Sequence, residues 1–194
     1  MNDKDSPLLD ADQVRALLTD LGERLAARGI EARLFLVGGA PMSLAFSRRR
    51  VTRDLDAVFE PIREIYEEAA ELARERGLPE DWLNDSVKGL LPDKVQPIEG
   101  TSRFSAPGIH VGVASPEYLF VMKAQAARQE VDGDDLRTLA KALKIKNVQQ
   151  GLDLVERFYG VNQLTMKTQL ILEGLLDETD SGDAATSAGE DWTR

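Results

Sequence analysis

Two aspartates separated by one residue are the side chains in this sequence whose type and spacing best suit chemistry. Asp54 and Asp56 begin the run 54–60, in which apolar residues alternate with others as in a half-buried β-strand. On a strand, side chains at i and i+2 share one face and lie roughly 6.6 Å apart along the backbone. Carboxylates at that separation can share divalent cations such as Mg²⁺ with substrate phosphate oxygens. The spacing therefore indicates a magnesium site.

Two consecutive glycines supply the complementary half of a phosphate-binding site. Gly38 and Gly39 follow the apolar run 33–37, which predicts a buried strand entering a tight turn. Glycine lets backbone N–H groups approach phosphates closely, and a helix beginning near Pro41 would turn its positive end toward them. We therefore expect a nucleoside triphosphate here. The alternatives are a plain turn for the glycines and solvent-facing ion pairs on an edge strand for the aspartates.

A basic cluster lies between the two motifs, formed by Arg48, Arg49, Arg50 and Arg53. At the mouth of the site, these guanidinium groups would receive RNA phosphates; the alternative is a solvated loop. The net charge of -10 does not exclude a polyanionic partner, because the acidic residues concentrate at the ends. Residues 177–194 carry -5 and residues 1–10 carry -2, which leaves -3 for the other 166 residues.

Composition excludes several other kinds of site. The chain has no cysteine and a single histidine, so it lacks disulfides, thiolate zinc sites, cysteine nucleophiles and His-rich metal sites. No apolar run approaches the ~20 residues of a membrane span, and the N-terminal MNDKDSPLLD lacks the features of a secretory signal. We expect a cytoplasmic protein without a membrane segment.

The elements around the two motifs indicate an α+β fold. Asp10 and Gln13 have capping-box spacing at the start of a helix that Gly29 ends. A helix of about two turns follows Gly39, and a longer amphipathic helix runs from Pro61 to Gly77. Strands are predicted at 94–98 and 109–113.

The second half of the sequence predicts four helices. They are expected from Ser115-Pro116 to about Glu130, from Asp132 to about Lys144, from Asn147 to about Tyr159, and from Thr165 onward. This gives a flexible N-terminus (1–9), an α/β core with a small mixed β-sheet and flanking helices (10–114), a C-terminal helical cap packed on the core (115–176), and an acidic disordered tail (177–194).

The two motifs in this order resemble the polymerase-β-like nucleotidyltransferase superfamily, whose signature is Gly-Gly or Gly-Ser followed by Asp-x-Asp. The resemblance rests on the string from Val37 to Ala45 followed by Thr52-Arg-Asp-Leu-Asp56. The segment from Val113 to Lys123, leading to Arg128 and Asp132-Gly-Asp-Asp135, is more narrowly similar to the bacterial toxin-type branch. That branch includes the abortive-infection and MenT-like tRNA-modifying toxins. The combined resemblance covers about residues 33–143.

The resemblance implies a role for each matching residue. Gly38, Gly39 and Ser43 would contact the triphosphate, and Asp54 and Asp56 would hold Mg²⁺. Lys123 would reach triphosphate oxygens, and Asp135 would complete the polar site beside it. The family's third catalytic carboxylate has no match, because the strand 109–113 offers only His110, which we interpret as an ordinary strand residue. Asp135 is the candidate to take the place of that carboxylate.

Lys123 and Asp135 each have a structural alternative. Lys123 could be an ordinary exposed lysine; the apolar neighbours Met122 and Ala126 instead favour an inward position, which requires a partner. Asp132 and Asp135 could be the N-cap and N3 carboxylates of a helix.

The resulting functional hypothesis is an Mg²⁺-dependent nucleotidyltransferase that moves a nucleoside monophosphate from an NTP to a hydroxyl. By the toxin-type resemblance, the acceptor is the 3′ end of tRNA and the protein is the toxin of a pair with a cognate antitoxin. The alternatives are a catalytically weak member that binds a nucleotide or protein, and an enzyme that modifies a small molecule such as an aminoglycoside. The transferase hypothesis requires Asp54, Asp56, Lys123 and Asp135 to converge on one cleft with Gly38-Gly39.

Overall fold

The computed structural model describes residues 7–45, 51–92, 102–126 and 129–183. The chain forms two compact units: of the described residues, those up to Leu91 and those from Ser102 to Ser115 belong to the first, and Pro92 and those from Pro116 onward belong to the second. Within the described residues, the first unit contains a five-stranded sheet with three α-helices, and the second contains four α-helices. The α+β class predicted from the sequence is confirmed.

Three helices of the first unit begin and end close to where the sequence predicts. Helix α1 (Ala11–Ala27) starts in the predicted capping box: Asp10 Oδ1 accepts from Gln13 N, and Gln13 Oε1 accepts from Asp10 N, both at 2.9 Å. Helix α2 (Gly39–Ala45) follows the glycine pair. Helix α3 (Ile62–Arg76) ends at Gly77, which adopts the left-handed conformation.

The sheet is mixed and places the first predicted strand at its centre. Its strands are β1 (Ala32–Leu36), β2 (Leu55–Glu60), β3 (Leu83–Asn84), β4 (Ser102–Ala106) and β5 (Ile109–Val113), in the order β3-β2-β1-β5-β4. Strand β1 is antiparallel to β2 and parallel to β5; β3 is parallel to β2, and β4 is antiparallel to β5.

The two faces of the sheet carry different kinds of residue. Leu34, Leu36, Leu55, Ala57 and Phe59 pack with the apolar sides of α1 and α3 into the core of the first unit. The alternate residues of β2 point to the other face, as the period of two in that strand predicts. This second face carries the carboxylates of the candidate site.

Two strands differ from the sequence prediction. Strand β4 lies at Ser102–Ala106, whereas the predicted strand at 94–98 lies outside the described residues. Strand β3 is only two residues long, and no strand is predicted there from the sequence. Both are edge strands, which need no continuous apolar pattern because one side of each lacks a neighbour.

The second unit consists of helices α4 (Pro116–Ala126), α5 (Gln129–Leu143), α6 (Val148–Tyr159) and α7 (Met166–Asp183). Helix α4 contacts each of the other three, and its residues Tyr118–Met122 are all buried. The predicted caps of α6 and α7 are confirmed: Asn147 Oδ1 accepts from Gln150 N at 3.0 Å, and Thr165 Oγ1 accepts from Thr168 N at 3.1 Å.

The predicted start of α5 is wrong. The helix begins at Gln129, so Asp132 lies within its first turn and Asp135 lies a turn further along. Asp132 and Asp135 therefore do not occupy the N-cap and N3 positions. Helix α7 continues to Asp183, past Leu176, where the sequence placed the end of the ordered chain; residues 184–194 lie outside the described residues. Within the described part of the chain, none of the helices has the length and apolar character that a membrane crossing requires.

Candidate functional site

The Asp-x-Asp pair lies at the start of β2, with both side chains on the face away from the core of the first unit. Asp54 immediately precedes the strand and is exposed, Asp56 is half-buried, and Leu55 between them is fully buried. The backbone of Asp56 is fixed by Val37, whose N–H donates to Asp56 O at 2.9 Å. The end of β1 and the start of β2 are thus held together where the two motifs meet.

The structure brings Gly38, the first glycine of the pair, into direct contact with Asp56. Gly38 has φ +70°, in the left-handed region that glycine adopts readily. A Cβ placed on Gly38 would lie 2.6 Å from Asp56 Oδ2, closer than real side chains approach. The carboxylate of Asp56 therefore sits against the Gly38 backbone, and any side chain at position 38 would displace it.

Gly39 lies against Thr52, a residue for which the sequence predicts no role. A Cβ on Gly39 would lie 2.7 Å from Oγ1 of Thr52, and that hydroxyl donates to Asp54 O at 2.9 Å. Thr52 in turn pairs with Leu9: Leu9 N donates to Thr52 O at 2.7 Å, and Thr52 N donates to Leu9 O at 2.9 Å. Leu9, which falls in the predicted flexible N-terminus, is instead buried.

Asn84 is a second residue that the sequence gives no reason to select. It lies opposite Asp56 in the parallel β2–β3 pair, and its Nδ2 donates to Asp54 Oδ2 at 3.4 Å. Its Oδ1 accepts from Ser86 N at 3.2 Å and from the Ser86 hydroxyl. An isolated asparagine carries no spacing signal, so only the strand pairing reveals its position.

The segment that carries Asn84 is anchored to α3. The indole N–H of Trp82, a fully buried residue, donates to Ala69 O at 3.0 Å, and Trp82 O accepts from Leu55 N at 2.6 Å. Asp85 accepts from Tyr66 Oη at 2.6 Å and from Lys88. The bond from Lys88, followed by that from Tyr66, lowers the pKa of Asp85, so this carboxylate stays charged.

Ser43 lies on α2 with only 2% of its surface exposed, and its Oγ has no hydrogen-bond partner among the described residues. A buried hydroxyl without a partner costs about 1–3 kcal/mol, so such groups often mark functional positions. The predicted contact between Ser43 and a triphosphate stays a prediction.

The arginine cluster is described only in part. Arg48, Arg49 and Arg50 lie outside the described residues, and Arg53 is exposed directly before Asp54. The predicted contact of these four residues with RNA therefore stays a prediction.

His110 lies far along the sheet from the carboxylate pair. It faces Arg33 of β1, which on its other side faces Glu60 of β2. Because Val37 is the β1 residue bonded to Asp56, His110 lies four residues along the strand, roughly 13 Å away. His110 is exposed, and its Nδ1 lies 3.2 Å from Ser105 Oγ, which agrees with an ordinary strand residue.

Lys123 and Asp135 form an ion pair within the second unit. Lys123 Nζ on α4 lies 2.9 Å from Asp135 Oδ2 on α5, with 11% and 17% of the two side chains exposed. Lys123 is therefore not the exposed lysine of the first alternative, and the inward lysine has its partner. That this pair shares a cleft with the residues of the first unit stays a prediction.

The groups assembled in the first unit fit a hard cation. The donors are carboxylate oxygens, and Mg²⁺ in phosphate-binding sites uses one or two carboxylates together with phosphate oxygens and water. Because Gly38 has no side chain, the Asp56 carboxylate can lie directly against the Gly38 backbone. Within residues 7–45, 51–92, 102–126 and 129–183, no three His, Cys, Asp or Glu side chains form a group that could hold a metal by themselves. The two carboxylates would thus supply the protein ligands of a cation here, and water or substrate oxygens would complete its coordination.

Comparison with known protein families, with characterised proteins and with solved structures finds no match to this chain.

Proposed function

We propose that this chain is an Mg²⁺-dependent nucleotidyltransferase that moves a nucleoside monophosphate from an NTP to a hydroxyl group. The contact of the Asp56 carboxylate with the Gly38 backbone carries the proposal. Gly38 and Asp56 are 18 residues apart in the sequence and meet where β1 ends and β2 begins. The absence of a side chain at Gly38 leaves room for the Asp56 carboxylate. A plain turn would account for the left-handed glycine, but a turn beside a solvent-facing ion pair would not require the close contact with Asp56.

In the proposed reaction, Asp54 and Asp56 hold Mg²⁺, and the backbone at Gly38 and Gly39 lies along the triphosphate. The acceptor hydroxyl oxygen bonds to the α-phosphorus, the α–β phosphoanhydride bond breaks, and pyrophosphate leaves with that electron pair. Mg²⁺ supplies charge neutralisation for the phosphate oxygens. The protein residues mainly position the two reactants.

Lys123 and Asp135 have proposed parts in the same reaction. Lys123 would neutralise triphosphate oxygens, and Asp135 would accept the proton of the acceptor hydroxyl. Their ion pair supports a shared role, because it places the Lys123 ammonium and the Asp135 carboxylate side by side in a largely buried position. The same pair could serve α4–α5 packing alone. The double variant Lys123→Met, Asp135→Leu separates the two roles.

The proposed acceptor is the 3′ end of tRNA, and the proposed biological role is that of a toxin with a cognate antitoxin. Both rest on the resemblance of residues 113–135 to the toxin-type branch. The exposed Arg53 directly before Asp54 favours a polyanionic acceptor over a cationic aminoglycoside.

The direct test incubates the purified protein with labelled NTPs, Mg²⁺ and total tRNA. We expect label on tRNA with the wild type and none with Asp56→Asn. Glu60→Gln is the matched control, because Glu60 lies on the same strand and face as Asp56 but at the far end of β2. It should transfer label normally.

Other outcomes favour the alternative functions. NTP binding without transfer to tRNA, other RNA or an aminoglycoside would favour a nucleotide-binding protein. Label on an aminoglycoside alone would favour the small-molecule enzyme. Equal loss of transfer in Asp56→Asn and Glu60→Gln would contradict the assignment of the site to the Gly38 end of β2.

A further inference from the structure

Two hydrogen bonds to backbone groups establish which end of the Asn84 side-chain amide is the oxygen and which is the nitrogen. A backbone N–H can only donate, so the amide atom that faces Ser86 N is Oδ1. A carbonyl can only accept, so the atom 3.4 Å from Asp81 O is Nδ2. The same Nδ2 lies 3.4 Å from Asp54 Oδ2. The donor end of the amide therefore faces the carboxylate of Asp54.

The backbone on either side of Asn84 is held in place by independent contacts. Trp82, two residues before it, is fully buried and is bonded to both Ala69 and Leu55. Asp85, the next residue, is bonded to Tyr66 and Lys88. Asn84 thus projects toward Asp54 from a fixed segment, as expected of a group that orients another side chain.

We propose that Asn84 is a positioning residue that holds the Asp54 carboxylate in the orientation in which it receives a divalent cation together with Asp56. This inference rests on the proposed function. A bond of 3.4 Å is longer than the ~2.7–3.2 Å of most N–H···O bonds, so Asn84 restrains Asp54 without clamping it. A carboxylate has about four acceptor sites, and the bond from Nδ2 occupies one of them.

A neutral amide suits this task better than a charged side chain. A lysine or arginine at position 84 would neutralise Asp54 and compete with the cation for it. A carboxylate there would repel Asp54 and could not donate. Partners of metal-binding side chains typically change metal affinity 10–100-fold when they are removed.

The test measures binding of Mn²⁺ alone to the full-length chain, by electron paramagnetic resonance of the free ion. We expect Asn84→Ala to raise the Kd for Mn²⁺ about tenfold and Ser86→Ala to raise it less, because the backbone N–H of Ser86 would still hold Oδ1. Asp56→Ala should abolish binding. Asn162→Ala, at an exposed asparagine of the second unit, should leave the Kd unchanged.

Lys88→Ala separates positioning from general support of the segment. It removes the ion pair with Asp85 but leaves the amide of Asn84 and its partners intact, so we expect the Kd for Mn²⁺ to stay within twofold of wild type. Equal weakening by Lys88→Ala and Asn84→Ala would show a structural role only and overturn the inference.

Two further outcomes are decisive. Wild-type affinity in Asn84→Ala, with binding abolished in Asp56→Ala, would overturn the role of Asn84 and leave the proposed metal site standing. Failure of the wild-type chain to bind Mn²⁺ would overturn the metal site and the inference together. Circular dichroism of each variant establishes that it is folded.

Discussion

At the scale of single residues, Gly38 is constrained by its backbone and by its neighbour together. Its φ of +70° disfavours any side chain, and the Asp56 carboxylate occupies the space into which a Cβ would project. The two constraints have different consequences: the first affects stability, and the second affects the position of a proposed metal-binding group. A second glycine of the same unit lets them be measured separately.

Gly38→Ala should lower the rate of nucleotidyl transfer about 100-fold, because it displaces Asp56 by the order of an ångström. Gly77→Ala is the matched control: Gly77 has nearly the same φ, +67°, with nothing within 4 Å of its added Cβ. Each variant should lose roughly 1–2 kcal/mol of unfolding free energy for the left-handed conformation, measured by urea titration. Full activity in Gly38→Ala would contradict the role given to this contact.

Ser43→Ala should leave the unfolding free energy unchanged or raise it by about 1 kcal/mol, because it removes a buried hydroxyl that has no partner among the described residues. If the hydroxyl binds the triphosphate, NTP affinity measured by calorimetry should fall in the same variant. Thr168→Val is the contrast: Thr168 is fully buried and donates to Gln125 at 3.0 Å, so its loss should destabilise by about 1–2 kcal/mol. Destabilisation by Ser43→Ala with unchanged NTP affinity would argue for a structural hydroxyl.

At the scale of elements, the ion pair between α4 and α5 calls for a paired experiment. Lys123→Met alone removes the ammonium group 2.9 Å from the largely buried Asp135 carboxylate and should cost about 3 kcal/mol of unfolding free energy. The double variant Lys123→Met, Asp135→Leu should recover most of that loss, because apolar side chains can replace a buried ion pair. Thermal unfolding checks both values.

Transfer activity then decides the role of the pair. A stable double variant without nucleotidyl transfer would support catalytic parts for Lys123 and Asp135. A stable double variant with normal transfer would show that the pair serves only the packing of α4 against α5.

The elements that could be predicted from the sequence are those whose ends are set by residues at the ends themselves. Asp10, Gly77 and Asn147 carry their signals locally, as caps, and the three helices they bound were predicted within a residue or two. The start of α5 was missed because Asp132 mimics an N-cap although the helix begins earlier. Strand β4 was missed although Pro107-Gly108 signals a tight turn, because Ser102–Ala106 has little apolar pattern.

The candidate site shows the same division between local and distant determinants. The contact between Gly38 and Asp56 follows from motifs visible in the sequence. Thr52 and Asn84 could not be assigned, because their positions depend on pairing with Leu9 and with β2, which no local pattern encodes. For Lys123, the sequence predicts only that an inward lysine needs a partner, and it is the resemblance that places Asp135 beside it; the structure shows the two as an ion pair.

At the scale of the whole molecule, none of the three tyrosines should ionise with its ordinary pKa. Burial raises the pKa of Tyr118 to about 12 and is the main cause of the raised pKa of Tyr66 and Tyr159. Below pH 10, the tyrosines are protonated in both the folded and unfolded chain, so their contribution to stability is constant. Above pH 10, the unfolded chain loses these protons first, and stability falls as pH rises.

Absorbance of tyrosinate should therefore rise in a cooperative step above pH 10, together with loss of helical circular dichroism. The chain in concentrated guanidinium chloride is the control and should titrate near pH 10. A gradual rise near pH 10 in the native chain, with helicity retained, would contradict the burial of these rings.

The pairing of Leu9 with Thr52 couples the amino-terminal end mechanically to the carboxylate pair. Thr52 is two residues from Asp54, and its hydroxyl also lies against Gly39. Tension applied ahead of Leu9, by a fused carrier protein or a surface tether, would load these two backbone hydrogen bonds at the entrance of β2 as well as the covalent chain that leads into α1.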